Sequence, residues 1–253
     1  MPGPIVEIGP GAKRRGRLGL VRVPAALLLL VMAAVTGWLG ITTPSGDDLP
    51  RRVAQLSRGA PLLPADVPPL LEEAVVAAED ERFFAHHGLD TVGTTRAVWV
   101  DVTRRCTCEG GSTVTQQLTK LVYYPDEDRI ARKVPGMAVA LKIELRYDKR
   151  QIMADYLSVV PSGYGLIGAR EAACAYFGAG LAELTVAQAA ELAGLVQAPS
   201  ATDPRYNPAG AGVRRDYVLD RMVEVGYLDA GQARAARAEP VVTSGAGRST
   251  ACG

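Results

Sequence analysis

Glu79-Asp80-Glu81-Arg82-Phe83-Phe84-Ala85-His86-His87-Gly88 ends an apolar segment on a carboxylate, then adds two aromatics and the only two histidines of the chain. About two dozen residues on, Gly110-Gly111-Ser112-Thr113-Val114-Thr115-Gln116-Gln117 runs a Gly-Gly turn into a face of hydroxyls and amides. A carboxyl partly withdrawn from water has a raised pKa and exchanges protons near neutrality. Paired glycines let a ligand approach the backbone. Acid/base chemistry beside a polyhydroxylated substrate is the idea these two stretches suggest. Each residue type has a plainer use as well. Glu79 could be a solvated helix-end charge, and one histidine could hold a loop. Ser112 or Thr113 could be an N-cap. Gln116 and Gln117, about 100° apart on a helix, cannot both face one ligand.

Lys120, Arg129, Arg132 and Lys133 form a basic cluster of the kind that holds phosphate or pyrophosphate when it is not simply solvated. The elements that must position these groups read as helices. Apolar periodicity predicts helices over 70–80, 91–105, 112–123, 137–145, 149–160, 168–177, 185–196, 213–225 and 230–238. Pro135 belongs in a first turn, and Thr185 with Gln188 is a capping box. No alternating segment is long enough for a strand pair, so the fold class is mainly α.

The 253 residues divide into five parts: a basic N-terminus 1–22, an apolar helix 23–41, a Pro- and Gly-rich linker 42–65, a helical domain 66–240 and a low-complexity tail 241–253. The run 23–41 carries no charge, and as a helix it spans about 28 Å, close to a bilayer's hydrocarbon core. Lys13, Arg14, Arg15, Arg17 and Arg22 precede it, whereas Asp47 and Asp48 follow. This places the N-terminus in the cytoplasm and the rest outside. The run is longer than a signal peptide's apolar region and no clean cleavage site closes it, so a retained transmembrane anchor is expected. Beyond residue 22 the chain sums to −3 of an overall +1, which gives no support to nucleic-acid binding. Cys106, Cys108, Cys174 and Cys252 lack zinc spacing. One disulfide among the first three is compatible with an external location.

The chain resembles the peptidoglycan glycosyltransferases, which comprise the polymerising domain of class A penicillin-binding proteins and their monofunctional relatives. EDERFFAHHG and GGSTVTQQLTK match that family's first two motifs, and Arg132-Lys133 opens the third. Residues 149–157 follow the fourth loosely, and YFG, LAGLVQAPS and YNP continue the match, which covers roughly residues 66–235. The resemblance implies a lysozyme-like helical fold, a lipid II substrate and release of undecaprenyl pyrophosphate. Glu79 would be the catalytic base. Asp80, Phe83, His86, Gly111, Ser112, Thr113, Gln116 and Gln117 would line the substrate cleft. Lys120, Arg132 and Lys133 would neutralise the pyrophosphate, with a divalent cation (magnesium or manganese) as a possible helper and no protein metal site expected. Expected partners are lipid II, the nascent glycan strand, the membrane and a cell-wall synthase or transpeptidase.

Transpeptidase signatures are absent, and the family pattern lapses at several positions. The third motif's glutamate is Gly136, preceded by Pro135, so no helix is expected through residues 132–136. The fourth motif's Glu and Asn are Ala154 and Ser158. Glu127, Asp128 and Glu144 are substitutes of unconvincing spacing. Two alternatives to a polymerase stay open: a catalytically impaired binder of lipid II or of a synthase, and a lytic enzyme that cleaves glycan.

Overall fold

The structure, a computed structural model, describes residues 19–95, 111–128, 131–197, 199 and 201–241. It contains two compact units that part between Thr43 and Pro44. The first unit is helix α1 (Gly19–Thr42). From Leu27 to Thr42 its side chains are exposed apart from half-buried Leu39, with Leu29 at 67%, Trp38 at 62% and Ile41 at 88%. Thr36 and Thr42 donate their hydroxyls to carbonyls four residues back. The helix expected over 23–41 is therefore present. Its crossing of a membrane is not shown, since no helix among the described residues is long and apolar enough to cross one.

The second unit is helical, and an isolated bridge between Pro161 and Ile167 is the one β pairing among the described residues. Its helices are α2 (Leu49–Leu56), α3 (Pro69–Glu79), α4 (Val114–Tyr123), α5 (Lys133–Glu144), α6 (Lys149–Val159), α7 (Ala169–Phe177), α8 (Val186–Gln197), α9 (Pro208–Val225) and α10 (Ala230–Ala238). Helices α3, α8 and α9 pack on one another, α4 packs on α5 and α6, and α10 closes over α8 and α9. The side that α3 gives to this core is Leu71, Ala74, Val75, Val76 and Ala77. Most helix bounds fall within a residue or two of the sequence pattern, and the Thr185–Gln188 capping box forms as expected. The helix expected over 91–105 is helical at 91–95, and its remainder lies outside the described residues, as do the tail 242–253 and residues 1–18.

Three expectations need correction. Residues 44–65 are not a tether: Leu49, Val53 and Leu62 are buried in the core. Pro50 sits in the first turn of α2, where a proline gives up no hydrogen bond. Helix α9 begins at Pro208 rather than 213, because Asn207 caps it through a hydrogen bond from the Gly210 N–H. Helix α5 runs through Pro135, with Arg132 as its N-cap. Pro135 is its third residue, whose N–H has no intrahelical acceptor to lose. The carbonyl it would clash with belongs to Ala131, in the turn before the helix. The Gly136 N–H then makes the first helical bond, to the Arg132 carbonyl at 2.8 Å.

Cys174 is disulfide-bonded, and its partner lies outside the described residues.

Candidate active site

Glu79 is the last residue of α3, and its side chain is only 4% exposed. Two groups from distant parts of the chain hold its carboxylate. Gln117 Nε2, on α4, donates to Oε2 at 2.9 Å, and Arg214 Nη2, on α9, donates to Oε1 at 3.2 Å. Tyr156 on α6, fully buried, donates its hydroxyl to Gln117 Oε1 at 2.9 Å. The ionised carboxylate, which only accepts, sets which end of the Gln117 amide faces it, since the opposite orientation would set oxygen against oxygen. Burial pushes the Glu79 carboxyl above its ordinary range, while the Gln117 hydrogen bond and the Arg214 charge pull it back. Burial and the Glu79 charge drive the Tyr156 phenol well up, so it stays a donor.

Arg214 has room because residue 194 is glycine. A Cβ there would come within 2.9 Å of Arg214 Cγ. The guanidinium also lies over the Tyr217 ring, 4.5 Å from its centre. Arg221 secures the end of α3 by bonding the Ala77 carbonyl and pairing with Glu81.

Several residues expected to line the cleft turn inward instead. Phe83 is fully buried, with Lys149 Nζ over its ring at 4.4 Å. Buried Asp80 accepts His86 Nε2 at 2.9 Å and the Val114 N–H at 3.0 Å. Asp80 and His86 thus tie the turn after Glu79 to the first residue of α4. Thr113 caps α4, takes the Gln116 N–H and donates to the Gly88 carbonyl at 2.8 Å. Gln116 completes the capping box through its side-chain oxygen, so the plainer use holds for both residues. Gly111 and Ser112 are exposed just ahead of them. Gln117 is the member of the pair that reaches Glu79.

The cationic side is built differently. Lys120 on α4 and Lys133 at the start of α5 are exposed. Arg132 Nη1 donates to the carbonyls of Glu127 at 2.9 Å and Tyr124 at 3.4 Å, closing the loop between α4 and α5. Gly136 is in the first turn of α5 and carries no carboxylate. Glu144, a possible substitute, is buried and committed to Lys149 Nζ at 2.7 Å and to the Thr115 hydroxyl. Thr115 and Gln117, two residues apart on α4, point to nearly opposite sides, so Glu144 does not join Glu79. Among the described residues no group of three or more His, Cys, Asp or Glu could hold a metal ion.

Sequence reasoning missed Arg214 and Tyr156. Tyr156 lies in the loosely matched fourth motif but was given no role there, and Arg214 lies in no quoted motif and is 135 residues from its partner.

Glu79 is thus a buried carboxylate with two fixed donors, while Lys120 on α4 and Arg132 and Lys133 at the head of α5 supply the basic groups. The sequence pattern of the Transglycosylase family matches residues 52–223. Penicillin-binding protein 1A of Haemophilus influenzae is 40% identical over 187 residues, covering 74% of this chain and 22% of that protein. A putative transglycosylase of Cupriavidus necator is 38% identical over 175 residues, 69% of this chain and 75% of its own length. A solved structure of the Haemophilus protein matches 74% of this chain and 18% of its own at 26% identity, with a TM-score of 0.44. The chain belongs to the peptidoglycan glycosyltransferase (transglycosylase) family, and it spans about a fifth of the length of the penicillin-binding proteins it matches.

Proposed function

We propose that this chain is a membrane-anchored glycosyltransferase that polymerises lipid II into glycan strands and releases undecaprenyl pyrophosphate. The observation that carries this reading is the buried Glu79 carboxylate held by Gln117 and Arg214. Ionised Glu79 takes the proton of the acceptor sugar's 4-hydroxyl. That oxygen attacks the anomeric carbon of the growing chain, and the bond to the lipid pyrophosphate breaks. Lys120, Arg132 and Lys133 offset the charge that leaves. A pyrophosphate departs readily, so a base, positioning and charge neutralisation are sufficient.

Anchoring is supported by the uncharged run 23–41 and by the apolar side chains that α1 exposes, which lipid would cover. The Cys174 disulfide fits an extracytoplasmic domain. Partners of this polymerase would be lipid II, the nascent strand and a transpeptidase or other cell-wall synthase.

Gly136 favours a second reading, a lipid II binder without turnover. Purified protein in detergent, given lipid II, separates the two. The polymerase makes glycan strands, and Glu79→Gln lowers their formation by roughly a hundredfold or more. Intact lipid II binding with no product from the wild type overturns the polymerase in favour of the binder. Shortening of preformed glycan would identify a lytic enzyme instead.

A further inference from the structure

Tyr164 is the one described residue other than glycine with a positive φ, +48°, and it stands between Gly163 at +82° and Gly165 at +73°. A tyrosine in the left-handed region is strained where glycine is not. The turn that carries it is closed tightly. The Ser162 N–H bonds the Leu166 carbonyl at 3.0 Å, and the Leu166 N–H bonds the Gly163 carbonyl at 2.8 Å. The strain does not serve to bury the ring, because Tyr164 is 65% exposed and its neighbour Tyr206 is 69% exposed, with ring centres 5.7 Å apart.

A buried and satisfied support lies beneath the pair. The Arg205 guanidinium is 4.0 Å from the Tyr164 ring centre and 4.7 Å from that of buried Tyr176. Asp203, 2% exposed, accepts from Arg205 and from the Tyr176 hydroxyl, and that hydroxyl takes a further bond from Arg205. Gly163 fits over this support only as glycine, since a Cβ would come within 2.6 Å of the Tyr176 hydroxyl. Two aromatic faces, fixed and charge-compensated from below, are thus presented to solvent at some conformational cost.

We infer that Tyr164 and Tyr206 form a stacking platform for the sugar rings of a glycan strand. Neutral aromatic faces stack on the C–H faces of pyranoses, and the phenol hydroxyls at their rims bond sugar hydroxyls. The Arg205 charge is already matched by Asp203, so nothing here selects an anion. The platform is joined along the chain to two elements that reach Glu79. Tyr156 is near the C-terminal end of α6, just before the Tyr164 turn. Arg214 is six residues into α9 from Pro208, roughly 9 Å along the axis from the end where Tyr206 sits.

This inference rests on the transglycosylase reading for its choice of ligand, and the test keeps the two apart. Binding of a soluble, peptide-free glycan tetrasaccharide to the full chain in detergent is measured by calorimetry, with lipid II polymerisation assayed in parallel. Tyr164→Ala/Tyr206→Ala should weaken tetrasaccharide binding ~5-fold or more. Tyr164→Gly, which removes both ring and strain, should stay folded by circular dichroism and bind weakly. Equal binding by wild type and by both tyrosine variants overturns the platform, as does no binding by the wild type, whether or not the protein polymerises. Tyrosine-dependent binding without polymerisation leaves the platform standing and overturns the polymerase.

Discussion

Around Glu79 the polar side chains are withdrawn from water and bonded to one another in series: Tyr156 to Gln117, Gln117 to Glu79, Arg214 to Glu79. Around Gly136 the basic groups are exposed or bonded to loop carbonyls, and position 136 itself carries no carboxylate. On the proposed function, the contrast follows from two tasks. A base must hold one geometry and one protonation state, and burial with fixed donors provides both. Cations that meet a departing pyrophosphate need charge and reach, which solvent-exposed lysines supply. The base side therefore tolerates little change, while the cation side can lose a family residue and keep its purpose.

Arg214→Met should give the largest break in this contrast after the loss of Glu79 itself. Burial would remain and the compensating charge would vanish, so the Glu79 carboxyl would move further up. Glu79 works ionised, so the acid limb of the kcat/KM profile moves to higher pH. Activity at pH 7 should fall about 10- to 100-fold and recover in part on the alkaline side. Arg214→Lys keeps the charge and should shift the limb less. A loss equal at every pH would show that Arg214 only holds the helices together.

Asp155 is a buried carboxylate on the same helix as Tyr156 that lacks such a cation. Gln151 Nε2 donates to one oxygen at 2.9 Å, and the other has no hydrogen-bond partner among the described residues. Burial raises its pKa to about 6 from an ordinary 3.8. The folded state thus holds a proton that the unfolded chain releases near pH 4. Stability falls as pH rises from about 4 to about 6 and stays lower above that. Asp155→Asn should raise stability at pH 7 by up to about 3 kcal/mol and flatten this dependence, as thermal melts at pH 4, 6 and 7.5 would show. An unchanged melt at pH 7.5 would mean that Asp155 finds a partner or solvent when ionised.

The residues that were legible in the sequence are those whose role is local. Thr113 and Gln116 cap α4, α10 occupies 230–238 as its pattern predicts, and Glu79 ends an apolar helix. Arg214 and Tyr156 were illegible because their meaning comes from how α9 and α6 pack on α3 and α4, which no spacing along the chain encodes. The segment 44–65 was misread for another reason. Its prolines suggested a loop, although Leu49, Val53 and Leu56 carry the i, i+4, i+7 spacing of a helix face. Asp80, Phe83 and His86 share the motif with Glu79 and are buried, because a motif records that residues stand together and not which of them reach the surface.

Gly136→Glu should have the smallest effect, and it tests the contrast from the other side. Among the described residues, a Cβ at this position would meet only Thr119 Cγ2, at 4.0 Å, so a side chain can leave the backbone here without a clash. Replacing glycine within a helix, with an acid in its first turn, should raise stability by about 1 kcal/mol. If Glu79 and the cations suffice, glycan synthesis should change by less than about threefold, since the new carboxylate would neither act as the base nor neutralise pyrophosphate. A gain of about tenfold or more would mean that the cation side also needs a fixed carboxylate and that this chain is an enzyme slowed by its loss. The two sides would then differ in how far each has decayed rather than in what each must do.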